Sequence, residues 1–443
     1  MTEGSISKKI LMFAFPVFLG QLLQQLYNIV DSIVVGNTLG KEALAAVSSS
    51  GSFIFLIVGF INGLFMGAGV IIGNRYGAKD YEAVHDAAHT AIAFGLIMGI
   101  VMTIIGVTVT PLILRLMGTP DDVFPSSVTY LRLYFCGGLF NVMYNTCCGI
   151  FQAMGDSKHP LYYLIVSAVT NTVLDILFVV FLGYGIQGAA LATVIAQGLS
   201  AVLAFIKLTR VNDYHKIVIK EIKIHPSYLK QELKLGIPTG IQNSVIAIAN
   251  VIVQSNINAF GSVAMAGCGS YFKLEGFAFL PITSFTAALT TFTSQNLGAK
   301  NMERAKKGAR FGIILSCSLA ELIGAVMFIF APVFLRLFSK EADVIAYGVE
   351  QIRTESLFYF LLAFSHCMAS ILRGAGRTTV PMYVMLGCWC VFRISYITVA
   401  VRLFPVIRTI FLAYPITWTL STIIFSIYYI KVQIFKEVKE NEV

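Results

Sequence analysis

Two aspartates stand where charge is expensive. Asp31 lies in PVFLGQLLQQLYNIVDSIVVGNTLG (16–40) and Asp175 in SAVTNTVLDILFVV (167–180), and neither run holds another charged residue. A carboxylate carried to the centre of a bilayer costs about 2.5–3.5 kcal/mol or more, so it faces a partner, a cavity or an ion path. Helical spacing gives each one polar company. Tyr27 and Gln24 precede Asp31 by four and seven residues with Asn28 beside them, and Asn171 and Ser167 precede Asp175 by four and eight. Two chemistries fit. Leaving water favours a carboxyl group's neutral, proton-carrying form, and a second carboxyl nearby reinforces this. Alternatively, the pair, an Asn carbonyl and a hydroxyl such as Thr193 could enclose a sodium ion in oxygens. The structural alternative is that both aspartates only glue helices together by hydrogen bonds.

The elements that must carry these residues are membrane helices. The chain has 443 residues, 57% hydrophobic and 12% charged, with mean hydropathy +0.78. Soluble domains sit near 45–50% apolar and 25% charged. About twelve apolar runs are long enough to cross some 30 Å of hydrocarbon: 10–37, 45–74, 87–115, 127–152, 160–182, 186–208, 233–260, 266–295, 308–337, 345–371, 380–402 and 407–431. The first run is too long for a cleavable signal and has no small-residue cleavage site. All eight cysteines fall inside runs at spacings that match no zinc site, and they read as small core hydrophobes.

The net charge of +9, from 32 Lys+Arg and 23 Asp+Glu, is a topology signal. Basic residues gather in alternate connections: Lys8 and Lys9; Arg75 and Lys79; Lys158; seven between Lys207 and Lys234; Lys300 to Arg310; Arg373 and Arg377; and Lys431, Lys436 and Lys439. By the positive-inside rule, both termini and the long central link face the cytoplasm. A nucleic-acid partner is not expected.

A repeat organises the chain. Arg75-Tyr76-Gly77-Ala78-Lys79 returns as Asn296-Leu297-Gly298-Ala299-Lys300, and Pro111 to Leu116 return as Pro332 to Leu337, both at an offset of 221. Gly155 and Pro160 return as Gly376 and Pro381 in the same register, and Pro16 returns as Pro238, one residue out of step. The expected architecture is all-α: twelve transmembrane helices in two pseudo-symmetric six-helix bundles. The N-terminal lobe is 1–206, a cytoplasmic linker 207–232 and the C-terminal lobe 233–443. Two parallel lobes around a cleft suit alternating access. No Walker A loop, His-Glu-x-x-His pair or Gly-x-Ser-x-Gly elbow is present, so no enzyme activity is expected.

The run PxxxGQLLQQLYxxVDSxxVGxxLG, the following GAGVIIGNRYGAKD, the link FQAMGDSKHP and GIQGAALATVIAQ together resemble the multidrug and toxic compound extrusion (MATE) family, in its DinF-like branch. The resemblance covers essentially the whole chain. It implies rocker-type antiport that exports organic cations against H⁺ or Na⁺, with no other cofactor. It also implies a coupling centre at Asp31, Asn171, Asp175 and Thr193, with Gln24 and Tyr27 as polar neighbours. A Na⁺ ion, if used, would bind at those four. Relatives of the NorM type carry a Glu on the seventh helix and an Asp on the tenth. Here the seventh offers Gln242, Asn243, Asn250, Gln254 and Asn256, and the tenth His366 beside Cys367, so a C-lobe site of that type is not expected.

Lys273 and Glu275 on the eighth helix are candidates for cavity lining that attracts cations, against a local ion pair or snorkelling. Glu321 is a weaker candidate, and Arg353, Glu355 and Arg393 read as packing or interfacial residues. Met66, Met143 and Asn145 are further lining candidates. Aromatic and Met-rich walls suit amphipathic cations, although most such residues must serve core and lipid contact. The expected protein is a monomer in the cell membrane, with a small organic cation and membrane lipid as partners. The alternative is a lipid-linked precursor flippase of the same superfamily.

Overall fold

The computed structural model describes residues 1–432 and 435, apart from the side chains of 41, 42, 44, 45, 48–50 and 52. Lys436 and Lys439 lie outside the described residues. Among those described there are helices and turns and no strand. A bilayer leaves no other choice for such a chain, because a backbone N–H or C=O facing hydrocarbon must be paired within its own segment.

The first half comprises α1 (Ile6–Leu39), α2 (Lys41–Gly77), α3 (Tyr81–Leu116), α4 (Phe124–Cys136), α5 (Gly138–Ala153), α6 (Lys158–Asp175) and α7 (Gly185–Arg210). The second comprises α8 (Pro226–Asn258), α9 (Ser262–Gly298), α10 (Met302–Leu335), α11 (Ala342–Glu355), α12 (Tyr359–Gly374), α13 (Thr379–Met385), α14 (Arg393–Leu403) and α15 (Ile407–Val432). Among the described residues, eleven helical segments are long and apolar enough to cross a membrane. The remaining crossing, expected at 127–152, is present as α4 and α5, 13 and 16 residues long and meeting at Gly137.

The chain divides into two compact units, Phe15–Ile237 and a second formed by Met1–Ala14 with Pro238–Val443. The division falls inside α1 and α8, next to Pro16 and Pro238. In the first unit α8 meets α2 through glycines: a Cβ at Gly67 would lie 2.4 Å from the Glu232 carbonyl oxygen, and one at Gly236 would lie 2.2 Å from that of Leu64. Small residues are what allow helix backbones to approach this closely. Residues 211–237 thus pack with the N-terminal helices.

The repeat seen in sequence is also a repeat of backbone. Lys79 and Lys300 both adopt left-handed φ, 61° and 55°. Around each, three backbone N–H groups close the preceding helix in the same pattern, and Asp80 and Asn301 then cap the next helix by accepting from Ala83 and Arg304. Gly155 and Gly376, with φ 89° and 74°, end α5 and α12 by another matched set of bonds.

The two lobes even break at equivalent places. The α4–α5 break frees the Leu139 N–H, which donates to Thr103 Oγ1 of α3 at 3.2 Å. In the second unit α11 gives way to a 3₁₀ turn (Ser356–Phe358) before α12, and the Phe360 N–H, 221 residues on from Leu139, donates to Glu321 Oε2 of α10 at 3.4 Å. Broken helices persist at membrane depth only where neighbours satisfy the freed groups. One carboxylate oxygen of Glu321 is therefore engaged at this helix break.

Candidate functional site

Asp31 is carried by α1 beyond its Pro16, and Asp175 is the last residue of α6, where the helix widens into a π-turn (Ile176–Phe181). Such π segments recur at functional sites because they re-aim neighbouring side chains. The two carboxyl groups come within hydrogen-bonding reach of each other. Asp175 is fully buried, and Asn171, one turn earlier, is 3% exposed. Asn171 Nδ2 donates to Thr193 Oγ1 of α7 at 3.4 Å, and that hydroxyl donates to the Ala189 carbonyl at 3.1 Å. The four residues expected at the coupling centre are thus gathered from α1, α6 and α7.

The oxygens carry the chemistry here. Asp31 Oδ1, both oxygens of Asp175 and Asn171 Oδ1 are buried, and no group among the described residues donates to any of them. Buried acceptors ordinarily find donors. Two carboxyl groups side by side without a basic residue call for a proton or a cation between them.

The other sequence candidates separate. Tyr27 hydrogen-bonds to Gln24 on the same helix and stands beside the aspartate pair. Asn145 Nδ2 turns back along α5 and donates to the Asn141 carbonyl at 2.9 Å. Met66 is half-buried on α2, and Met143 is buried in the core formed with α2 and α3. Lys273 and Glu275 part company, since residues two apart on a helix point to opposite sides. The Lys273 ammonium is exposed and lies over the Phe338 ring at 5.9 Å.

Glu275 turns inward to a second cluster. The Tyr271 hydroxyl lies 3.1 Å from Glu275 Oε1, 2.9 Å from Glu355 Oε2 and 3.1 Å from the Tyr359 hydroxyl. Gln351 Nε2 donates to Glu355 Oε1 at 2.9 Å. Arg393, which follows a second π segment (Leu386–Phe392), donates to Thr417 Oγ1 at 2.8 Å and stacks on Tyr414 at 4.3 Å. Glu355 and Tyr271 are fully buried. Glu355, read from sequence as a packing or interfacial residue, is thus a core carboxylate of the helix that breaks directly after it. His366 is held edge-on between Phe279 and Trp389, at 4.9 and 5.2 Å.

The profile of the MatE family matches residues 16–177 and again 238–399, the same two halves that the internal repeat defines. The chain belongs to the MatE family. A probable multidrug resistance protein YpnP from Bacillus subtilis is 30% identical over 397 residues, covering 89% of this chain and 88% of its own. A probable multidrug resistance protein NorM from Thermotoga maritima is 25% identical, covering 87% and 83%. A solved structure of a MOP superfamily transporter from Pyrococcus furiosus superposes with TM-score 0.92 at 24% identity, covering 98% of each chain, a likeness of fold. The relatives are named as multidrug resistance proteins and not as enzymes. This MatE chain is a multi-pass membrane protein.

Three residues of the MatE N-terminal unit escaped the sequence reading. Tyr130 and Tyr134 of α4 are buried and interact electrostatically with the aspartate pair or with Tyr27, and Gln197 of α7 hydrogen-bonds Tyr134. Their i, i+4 spacing was a visible signal, but aromatic residues at helical spacing recur throughout the chain. In the second unit the signal was weaker still, because Glu275 and Glu355 are 80 positions apart.

Proposed function

We propose that the protein is a cation-coupled antiporter of the cell membrane, with both termini cytoplasmic, which exports small organic cations. In this reading H⁺ or Na⁺ binds at Asp31 and Asp175, with Asn171 and Thr193 orienting the site, and drives substrate outward. The observation that carries the reading is the set of four buried oxygens, from Asp31, Asn171 and Asp175, that no donor satisfies. A proton between the carboxyl groups, or a cation ringed by the four oxygens, removes that deficit. The names of the relatives, multidrug resistance proteins, support a drug-like substrate. For coupling, ion and substrate must prefer different conformations, since a ligand shifts an equilibrium only by its differential affinity. The aspartate pair, which repels itself when empty and charged, is a device for that difference.

Efflux of a fluorescent organic cation from everted or reconstituted vesicles tests the proposal, with wild type and Asp31→Asn compared under a proton gradient and then a sodium gradient. Transport that follows one gradient and disappears in the variant supports the site and names the ion. No cation transport by wild type under either gradient overturns the antiporter reading and favours the flippase.

A further inference from the structure

The linker between α7 and α8 meets the start of α3 at a histidine cluster that the transport site does not use. His85 and His89 stand one turn apart on α3 with rings 3.9 Å apart, and Glu221, in a 3₁₀ turn of the linker (Ile219–Glu221), reaches them. His85 Nε2 lies 3.0 Å from Glu221 Oε2, and one donor atom from each of the three side chains lies within 4.8 Å of the others.

Hydrogen bonds set which nitrogens hold lone pairs. His89 Nδ1 faces the His85 carbonyl at 2.8 Å and so carries the proton, while Nε2 accepts from the Val218 N–H at 3.0 Å. His85 Nδ1 faces Asp86 Oδ1 at 3.5 Å, and the other oxygen of Asp86 faces His225 Nδ1, also at 3.5 Å. His85 Nε2 meets the Glu221 carboxylate at 3.0 Å: when it carries the ring proton it donates there, and in the other tautomer its lone pair is open to a metal ion. Other features are those of a metal shell: an i, i+4 histidine pair, a His89 Nδ1–H held by a backbone carbonyl, Asp86 close behind His85, and a carboxylate third ligand.

We propose that His85 Nε2, His89 Nε2 and Glu221 Oε2 form a binding site for a divalent transition-metal ion of the Zn²⁺ class, backed by Asp86. Two imidazoles and one carboxylate suit Zn²⁺, Ni²⁺ or Co²⁺, and do not suit Mg²⁺ or Ca²⁺, which take oxygen ligands. Bonds of about 2.0–2.2 Å require the three donors to close on a common centre. Glu221 is 54% exposed and His85 32%, so both side chains are free to adjust and solvent can reach the fourth position. The metal and the Val218 N–H compete for the same His89 lone pair. Without metal, Val218 fills the site. With metal, the N–H of Val218, a half-buried residue, turns to water and the linker is tied to α3 through Glu221 instead. The linker remains seated by Ile217, which is 1% exposed, and by the His225 N–H, which donates to Thr90 Oγ1 at 3.1 Å.

The test uses the full-length, tag-free, chelator-stripped protein in detergent, titrated with Zn²⁺ by calorimetry and by competition against a chromophoric chelator. The expected result is one equivalent bound at micromolar concentration or tighter. His85→Ala and Glu221→Gln, both at solvent-accessible positions, should abolish binding, and Asp86→Asn should weaken it about tenfold or more. His159→Ala removes the separate His159–Asp156 pair and should change nothing. Co²⁺ loaded in place of Zn²⁺ should give the visible absorption of a nitrogen- and oxygen-ligated ion, lost in His85→Ala. The proposal is overturned if wild type binds no Zn²⁺ at micromolar concentrations. Binding that survives both His85→Ala and Glu221→Gln, or that is lost in His159→Ala, also overturns it. Because the readout is metal binding, the result stands apart from whether the protein transports organic cations.

Discussion

Each unit holds a pair of carboxylates, one fully buried and one half-buried, and the two pairs are furnished differently. Asp31 and Asp175 meet, and among the described residues no donor reaches Asp31 Oδ1 or either oxygen of Asp175. Glu275 and Glu355 are joined through the Tyr271 hydroxyl, with Gln351 donating to Glu355 and the Arg393 guanidinium nearby. Tyr271 has one proton and three oxygen neighbours. Its hydroxyl bridges both glutamates and the Tyr359 hydroxyl. Among the described residues the protein thus furnishes the second pair with donors of its own and the first with none. A site that loads and unloads an ion needs the unfinished arrangement, because permanent donors would compete with the ion.

The sharpest way to break this contrast is Asp175→Asn. Gradient-driven efflux should fall to background while the thermal unfolding midpoint in detergent holds or rises, because an amide replaces a desolvated carboxylate that no donor repays. A midpoint several degrees lower would mean that the aspartates are structural glue. Glu355→Gln should do the reverse. It keeps the size but disturbs bonds from both Tyr271 and Gln351, and should cost about 1–3 kcal/mol of stability, read from denaturant or thermal unfolding. Wild-type stability with efflux abolished would make the two pairs alike.

The equivalent helix breaks offer a smaller test. Thr103→Val and Glu321→Leu each strip the acceptor from one freed N–H, at Leu139 and Phe360. Each should cost about 1 kcal/mol, and unequal costs would show that one lobe leans harder on its break. Smallest is a pH effect on the linker. Burial pushes the His215 imidazole below its usual range, an effect that Asp213 opposes, and the ring packs against Phe151. A histidine whose folded pKa is depressed contributes stability above its unfolded value of about 6.5 and loses it as pH falls through the folded value. The unfolding midpoint should therefore drop below about pH 6.5, and His215→Phe should flatten that drop.

Much of this could be read without coordinates. Hydropathy of this strength admits only membrane helices, and the matches at an offset of 221 announce two homologous halves, because identical turns need identical caps. Lys79 and Lys300 share a left-handed backbone for that reason. Asp31 and Asp175 were legible because each is the sole charge in its apolar run, where an unused charge is too costly to keep.

What only the tertiary structure decided was pairing. Helical periodicity states which residues share a face of one helix and is silent on which face of which other helix they meet. It could not show that Glu355 joins Glu275 while Lys273 turns away, or that Glu321 closes a helix break. Nor could it show that linker residues complete a histidine cluster on α3. Those contacts join positions tens to more than a hundred residues apart. They are selected by how backbones pack, and by the need of every buried polar group to find a partner, which no local spacing encodes.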